Sequence, residues 1–180
     1  MDEERGRVDE WLSVKDKNYS WTLSVTSDGR VLLSGRAPSR LDIYGPDALL
    51  LHTVLLPTSV GWLCHAVETP SRDFVIFSQK RKREMKVLLM NKDGGVMRSF
   101  SVASDSCTHV AVDREDRVFV ADKFNYQLLL IDSTLSTSRV VLSRDKDRGV
   151  SPWRFYYSDR TGRLIVGHVS GRVDVFSVDS

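Results

Sequence analysis

Four stretches of this chain repeat one pattern, a polar turn followed by a short apolar strand. They are Arg30-Val-Leu-Leu, Asp73-Phe-Val-Ile, Arg117-Val-Phe-Val and Arg163-Leu-Ile-Val, and their first residues stand 43, 44 and 46 positions apart. An internal period of this length constrains the fold more than any single motif, because each unit is too small to bury its own apolar surface and must stack on its neighbours. Every copy is preceded by an apolar stretch, at Trp21 to Val25, Trp62 to Val67, His109 to Val112 and Trp153 to Tyr157. A third stretch follows each, at Leu41 to Tyr44, Val87 to Met90, Leu128 to Ile131 and Val173 to Phe176. The first three units add a weaker fourth, at Leu49 to Leu55, Val96 to Val102 and Arg139 to Leu142.

None of these runs has the three-and-four spacing of an amphipathic helix, and turn formers separate them. Ser27-Asp28-Gly29, Pro70-Ser71-Arg72, Glu115-Asp116 and Arg160-Thr161-Gly162 lie between first and second strands, and Gly45-Pro46-Asp47 and Asn91-Lys92-Asp93-Gly94-Gly95 between third and fourth. The expected fold is therefore all-β: a β-propeller of four blade-like four-stranded antiparallel sheets. The blades are expected over about 19–60, 61–106, 107–150 and 151–180, after an N-terminal segment 1–18 that holds an outer strand, Val8 to Val14. That strand would either complete the last blade or belong to a preceding one. The second strands should centre near Leu32, Val75, Phe119 and Ile165.

Composition agrees with a folded domain: 180 residues, 41% hydrophobic and 28% charged. The N-terminus is acidic and polar, and no apolar run approaches the roughly 18–20 residues that span a bilayer. A cytoplasmic protein without membrane partners is expected, with the basic run Lys80-Arg81-Lys82-Arg83 leaving nuclear import as an alternative. Two cysteines, Cys64 and Cys107, supply neither a disulfide scaffold nor the repeated Cys/His quartets of RING or B-box zinc modules.

The third unit, His109-Val-Ala-Val-Asp113 through Val118-Phe-Val-Ala-Asp122-Lys-Phe-Asn125 to Asp132, resembles an NHL repeat, with Tyr126 where that family prefers His. The other units keep the strand pattern but carry Ser34-Gly35, Ser78-Gln79 and Gly167-His168 in place of the Ala-Asp pair. The resemblance implies membership of a six-bladed propeller, of which these four blades would be a part. It also implies a role as the substrate-recognition part of a tripartite-motif-like protein. The RING, B-box and coiled coil of such ligases are not in this sequence, so ligase activity is not expected.

Charge is the remaining lead. Overall 26 Lys and Arg balance 24 Asp and Glu. In a propeller, however, the loops between second and third strands share one end with the blade-to-blade loops. That end collects Arg36, Arg40, Lys80, Arg81, Lys82, Arg83, Lys86 and Lys123, with Phe124 and Tyr126 beside them, and is strongly positive, while the opposite end is negative. These ten residues are the candidate partner-binding set. A non-enzymatic module that binds protein is the expected function. RNA binding on the basic face is the alternative, since cations with exposed aromatics suit a phosphate backbone with unstacked bases, and RNA-binding NHL propellers use this face. Self-association through an unclosed blade is a further expected contact.

No catalytic residue, metal site or cofactor is expected. Cys64-His65 and Cys107-Thr108-His109 occupy matching places, but neighbours on a strand point to opposite faces, so four ligands would not converge. A propeller enzyme of the lactonase or lyase kind is the runner-up class, with no visible set of metal-binding acids and histidines. Asp122 is expected to accept backbone hydrogen bonds at the end of its strand. The regular placement of Trp21, Trp62 and Trp153 at the start of first strands favours packing between blades.

Overall fold

The computed structural model describes residues 11, 13, 21–36, 38–81, 84–104, 107–143, 152–158 and 160–178. It is all-β. Blade 1 comprises β1 (Trp21–Val25), β2 (Val31–Arg36), β3 (Ser39–Tyr44) and β4 (Leu50–Leu55), and a one-turn 3-10 helix, Thr58–Val60, follows. Blade 2 comprises β5 (Trp62–Glu68), β6 (Phe74–Arg81), β7 (Glu84–Met90) and β8 (Val96–Val102). Blade 3 comprises β9 (Cys107–Val112), β10 (Val118–Asp122), β11 (Gln127–Ile131) and β12 (Ser138–Leu142). Blade 4 comprises β13 (Pro152–Ser158), β14 (Arg163–His168) and β15 (Val173–Ser177). The strands of each sheet are antiparallel and lie in chain order, so the blades are four-, four-, four- and three-stranded among the described residues. The four second strands contain Leu32, Val75, Phe119 and Ile165, as the repeat predicts.

Alternation along each strand gives a blade two apolar faces, one leading, toward the preceding blade, and one trailing, toward the next. Packing them produces three separate cores. Leu32, Leu41, Ile43 and Val54 of blade 1 meet Leu63, Ala66, Ile76 and Leu88 of blade 2. Val75, Phe77, Val87 and Val102 of blade 2 meet Val110, Val118, Val120 and Ile131 of blade 3. Phe119, Ala121, Leu128 and Leu130 of blade 3 meet Phe155, Leu164 and Val166 of blade 4. At the first contact β1 also reaches across with polar groups: the Thr22 hydroxyl donates to the Cys64 carbonyl at 2.8 Å and that of Ser24 to the Ala66 carbonyl at 2.6 Å. Among the described residues, blades 1 and 4 do not pack on each other as neighbouring blades do. Over the described residues, the four blades thus form an arc not closed by such a contact.

The negative end carries a clasp between the first hairpin turns of adjacent blades. Arg30 of blade 1 pairs with Glu68 of blade 2 at 2.7 Å, and Arg72 of blade 2 pairs back to Asp28 of blade 1 at 2.9 Å. Ser71 then hydrogen-bonds Asp116 of blade 3. Hydrogen bonds from Thr26 and Arg30 hold the Asp28 carboxyl far below the usual carboxylate range. The Arg72–Asp28 pair, exposed on both sides, fixes the geometry of the turns more than it adds stability.

The expected outer strand Val8 to Val14 lies outside the described residues except for Trp11 and Ser13. The Trp11 ring stands edge-on to Tyr44 at 6.5 Å, and its indole N–H donates to the Pro46 carbonyl at 2.9 Å. No helix among the described residues is long and apolar enough to cross a membrane.

Candidate functional site at the basic end

Second strands run out, and first strands begin, at the end of the arc opposite the clasp. Arg36 is the last residue of β2 and Trp62 the first of β5. The guanidinium of Arg36 lies over the Trp62 ring, 4.4 Å from its centroid. Between blades 3 and 4 the same relation recurs: Lys123, just past β10, places its ammonium 4.0 Å from the centroid of Trp153, the second residue of β13. Arg154 adds a second cation at 5.8 Å. Each pair thus joins the cation that ends a second strand to the tryptophan that opens the next blade. Cation–π contacts of this kind hold a long charged side chain against an aromatic plate at the surface.

Trp62 and Trp153 are therefore exposed, where the regular placement of tryptophans at the start of first strands suggests packing between blades. Trp62 is 48% and Trp153 38% exposed. The chain reaches Trp62 through Gly61, at φ 84°, where a Cβ would stand 2.6 Å from the Lys80 Cα. Only glycine fits there. This close passage sets Trp62 beside the end of β6.

The other expected site residues divide. Lys80 and Arg81 are exposed at the end of β6, Arg81 opposite Glu84 of β7, so the basic run begins in a strand rather than in a loop. Lys82 and Arg83 lie outside the described residues. Phe124 and Tyr126 are exposed in the β10–β11 turn. Two residues do not join the surface as expected. Arg40 lies within β3 and pairs at 2.9 Å with the buried Asp42, which also accepts the Thr53 hydroxyl at 2.7 Å. Lys86 is half-buried inside β7, in register with Ser78 and Ser101, because that strand begins two residues earlier, at Glu84.

Asp122 builds the turn that presents Phe124 and Tyr126. Fully buried, it accepts hydrogen bonds from the Ser104 hydroxyl, the Asn125 backbone N–H at 3.1 Å, the Asn125 side-chain amide at 2.7 Å and the Gln127 amide at 3.2 Å. Asn125 also donates to the Ala103 carbonyl at 3.1 Å, tying the turn to the loop from blade 2. This over-determined geometry holds Tyr126 at φ 55°, a left-handed conformation unusual for an aromatic residue.

A second feature lies on the axis. The four inner strands line a cavity of about 730 Å³ whose walls include Leu23, Val25, His65, His109, Phe155 and Tyr156. The rings of His65 and His109 stack at 4.3 Å, and Phe155 meets His109 edge-on at 4.9 Å. The Val110 N–H donates a long, 3.4 Å bond to His65 Nδ1. A bulge between Leu63 and His65 turns His65 toward blade 3, while Cys64 packs beside the core between blades 2 and 3, where burial raises its thiol pKa. Among the described residues no group of three or more His, Cys, Asp or Glu could hold a metal ion.

Burial lowers the pKa of His65 to about 4, and burial together with the adjacent His65 and Arg154 lowers that of His109 to about 3. The unfolded chain takes up these protons near pH 6.5, so the stability that the neutral rings contribute is complete above that pH and is lost as pH falls toward the folded values. The limiting slope is about 1.4 kcal/mol per pH unit for each ring, and the two titrate as a coupled pair. Urea midpoints between pH 7 and 4.5 should fall, and less so in His109→Phe. An unchanged pH dependence in that variant would show that other groups control acid unfolding.

No family model matches the chain, and no curated protein matches it. Solved structures do. A protein of unknown function from Bacteroides caccae superposes with a TM-score of 0.67 at 12% identity over 88% of this chain and 59% of that one. Virginiamycin B lyase from Staphylococcus aureus gives 0.59 at 13%, over 94% of this chain and 58% of the lyase. The WD40 β-propeller domain of Doa1 gives 0.63 at 15%, over 89% of this chain and 51% of that one. This chain thus spans between about half and three-fifths of the length of these structures, and it is a β-propeller of four blades.

Proposed function

We propose that this chain is a non-enzymatic interaction module that binds an acidic protein segment at its basic end. One observation carries the reading: exposed tryptophans, each under a cation from the preceding blade, stand at the same end as Lys80 and Arg81. Trp, Tyr and Arg dominate the energetics of protein interfaces, and a plate already held by a cation loses little freedom when a partner covers it. The resemblance of the third unit to an NHL repeat fits a recognition role within a larger cytoplasmic assembly.

A displayed library of acidic peptides is the direct test. Peptides selected by the parent chain should bind at least tenfold more weakly to Trp62→Ala and to Lys80→Ser with Arg81→Ser. Arg114→Ser, at the opposite end, should bind as the parent does. Equal loss in all three would reduce the attraction to diffuse charge and remove the proposed site.

RNA is the second reading, supported by exposed Phe124 and Tyr126 next to Lys123, which offer stacking platforms to unpaired bases. Single-stranded oligouridine would then bind with a log–log salt slope of about −3 to −4, weakened by Phe124→Ala. The open ends of the arc also support self-association, since blades 1 and 4 leave apolar side chains in solvent.

A further inference from the structure

Each closed contact in the arc has the same parts. The leading side chains of an inner strand press on the second strand of the blade before: Leu63 and Ala66 of β5 on blade 1, Val110 and Val112 of β9 on blade 2, Phe155 and Tyr157 of β13 on blade 3. From the other side, the trailing position of each inner strand reaches forward: Ser24 to the Ala66 carbonyl, His65 to the Val110 N–H and the His109 ring, His109 to the Phe155 ring. Both series have one member with nothing described against it. On β1, Leu23 and Val25 hold the leading positions, in register with Leu33 and Val31, and are 63% and 64% exposed. On blade 4, Tyr156 and Val175 stand on either side of Ile165, each in register with it on the trailing face, and are 64% and 56% exposed.

The geometry points to a second copy of this chain as the occupant: β1 of one copy packs, through Leu23 and Val25, on the Tyr156–Ile165–Val175 face of the other. The contact continues the interface already repeated three times within the chain. Behind Leu23 and Val25 on the same face Leu33 and Asp42 are already buried, while Leu50 and Leu55 of β4, opposite Tyr44 and Arg40, are exposed and extend the apolar surface outward. The two faces differ, so the contact is heterologous, and copies related by a rotation that closes build a ring of fixed size. It deepens the self-association reading and is independent of what binds at the basic end.

Light scattering on the size-fractionated chain at tens of micromolar should give an integer multiple of 20.4 kDa. Leu23→Lys with Val25→Lys, and separately Ile165→Lys with Val175→Lys, should each give a monomer whose circular dichroism and urea midpoint match a folded arc. Because each variant keeps one intact face, an equimolar mixture should recover a dimer. The Lys80→Ser, Arg81→Ser variant should assemble as the parent does, even if peptide binding at the basic end fails. A monomeric parent, polydisperse aggregate, persistence of assembly in both face variants, a mixture that stays monomeric, or loss of assembly in the basic-end variant would each overturn the contact.

Discussion

Phe119→Ala is expected to lower the unfolding free energy by about 3–5 kcal/mol, the range for removing a buried phenylalanine ring. Phe119 is fully buried in the core between blades 3 and 4, stacked on Tyr157 at 5.9 Å and edge-on to Phe155 at 6.4 Å. Its neighbours sit on strands of two sheets, so the cavity could close only if the sheets moved together, which their hairpins resist. In a urea titration the midpoint should fall with little change in slope. Val140→Ala, on the exposed outer strand β12, should shift stability by less than about 0.5 kcal/mol. Similar effects from the two variants would mean that blades 3 and 4 do not share a core.

Asp122→Ala should cost about 2–3 kcal/mol, for a different reason. The volume lost is small, but the Asn125 amides and the Gln127 amide would lose their shared acceptor, and so would the Ser104 hydroxyl, which is itself buried. Asp122→Asn should fall between the parent and the alanine variant, because one side-chain oxygen remains to accept. The turn at 123–126 should also become the first site of limited proteolysis, since the same bonds hold Tyr126 in its left-handed conformation. A destabilised Asp122→Ala protein with an unaltered cleavage pattern would separate the two roles.

The repeat was legible because strand pairing needs little beyond alternation and turn residues. Val118-Phe-Val-Ala-Asp122 and its three counterparts read as second strands, and all four are. The role of Asp122 was legible for the same local reason. The exposure of Trp62 and Trp153 was not. Whether the first residue of a strand faces a neighbouring sheet or solvent depends on where the previous blade's second strand stops, and the pairing of Arg36 with Trp62 spans that junction. Charge counting also misled, because it cannot see partners: Arg40 is engaged by the buried Asp42. The stacked histidines escaped because strict alternation sends Cys64 and His65 to opposite faces, and the bulge beside Leu63 breaks that alternation.

The three cores share no residues, so free energy is coupled only between neighbours, as along a row of dominoes. Blades 2 and 3 are held from both sides and blades 1 and 4 from one, which grades the resistance to opening from the middle of the chain outward. Among the described residues no hydrophobic core joins blade 3 to blade 1 except through blade 2. A chain built this way can be lengthened or shortened by a whole blade through gene duplication or deletion, with repacking confined to the single new junction.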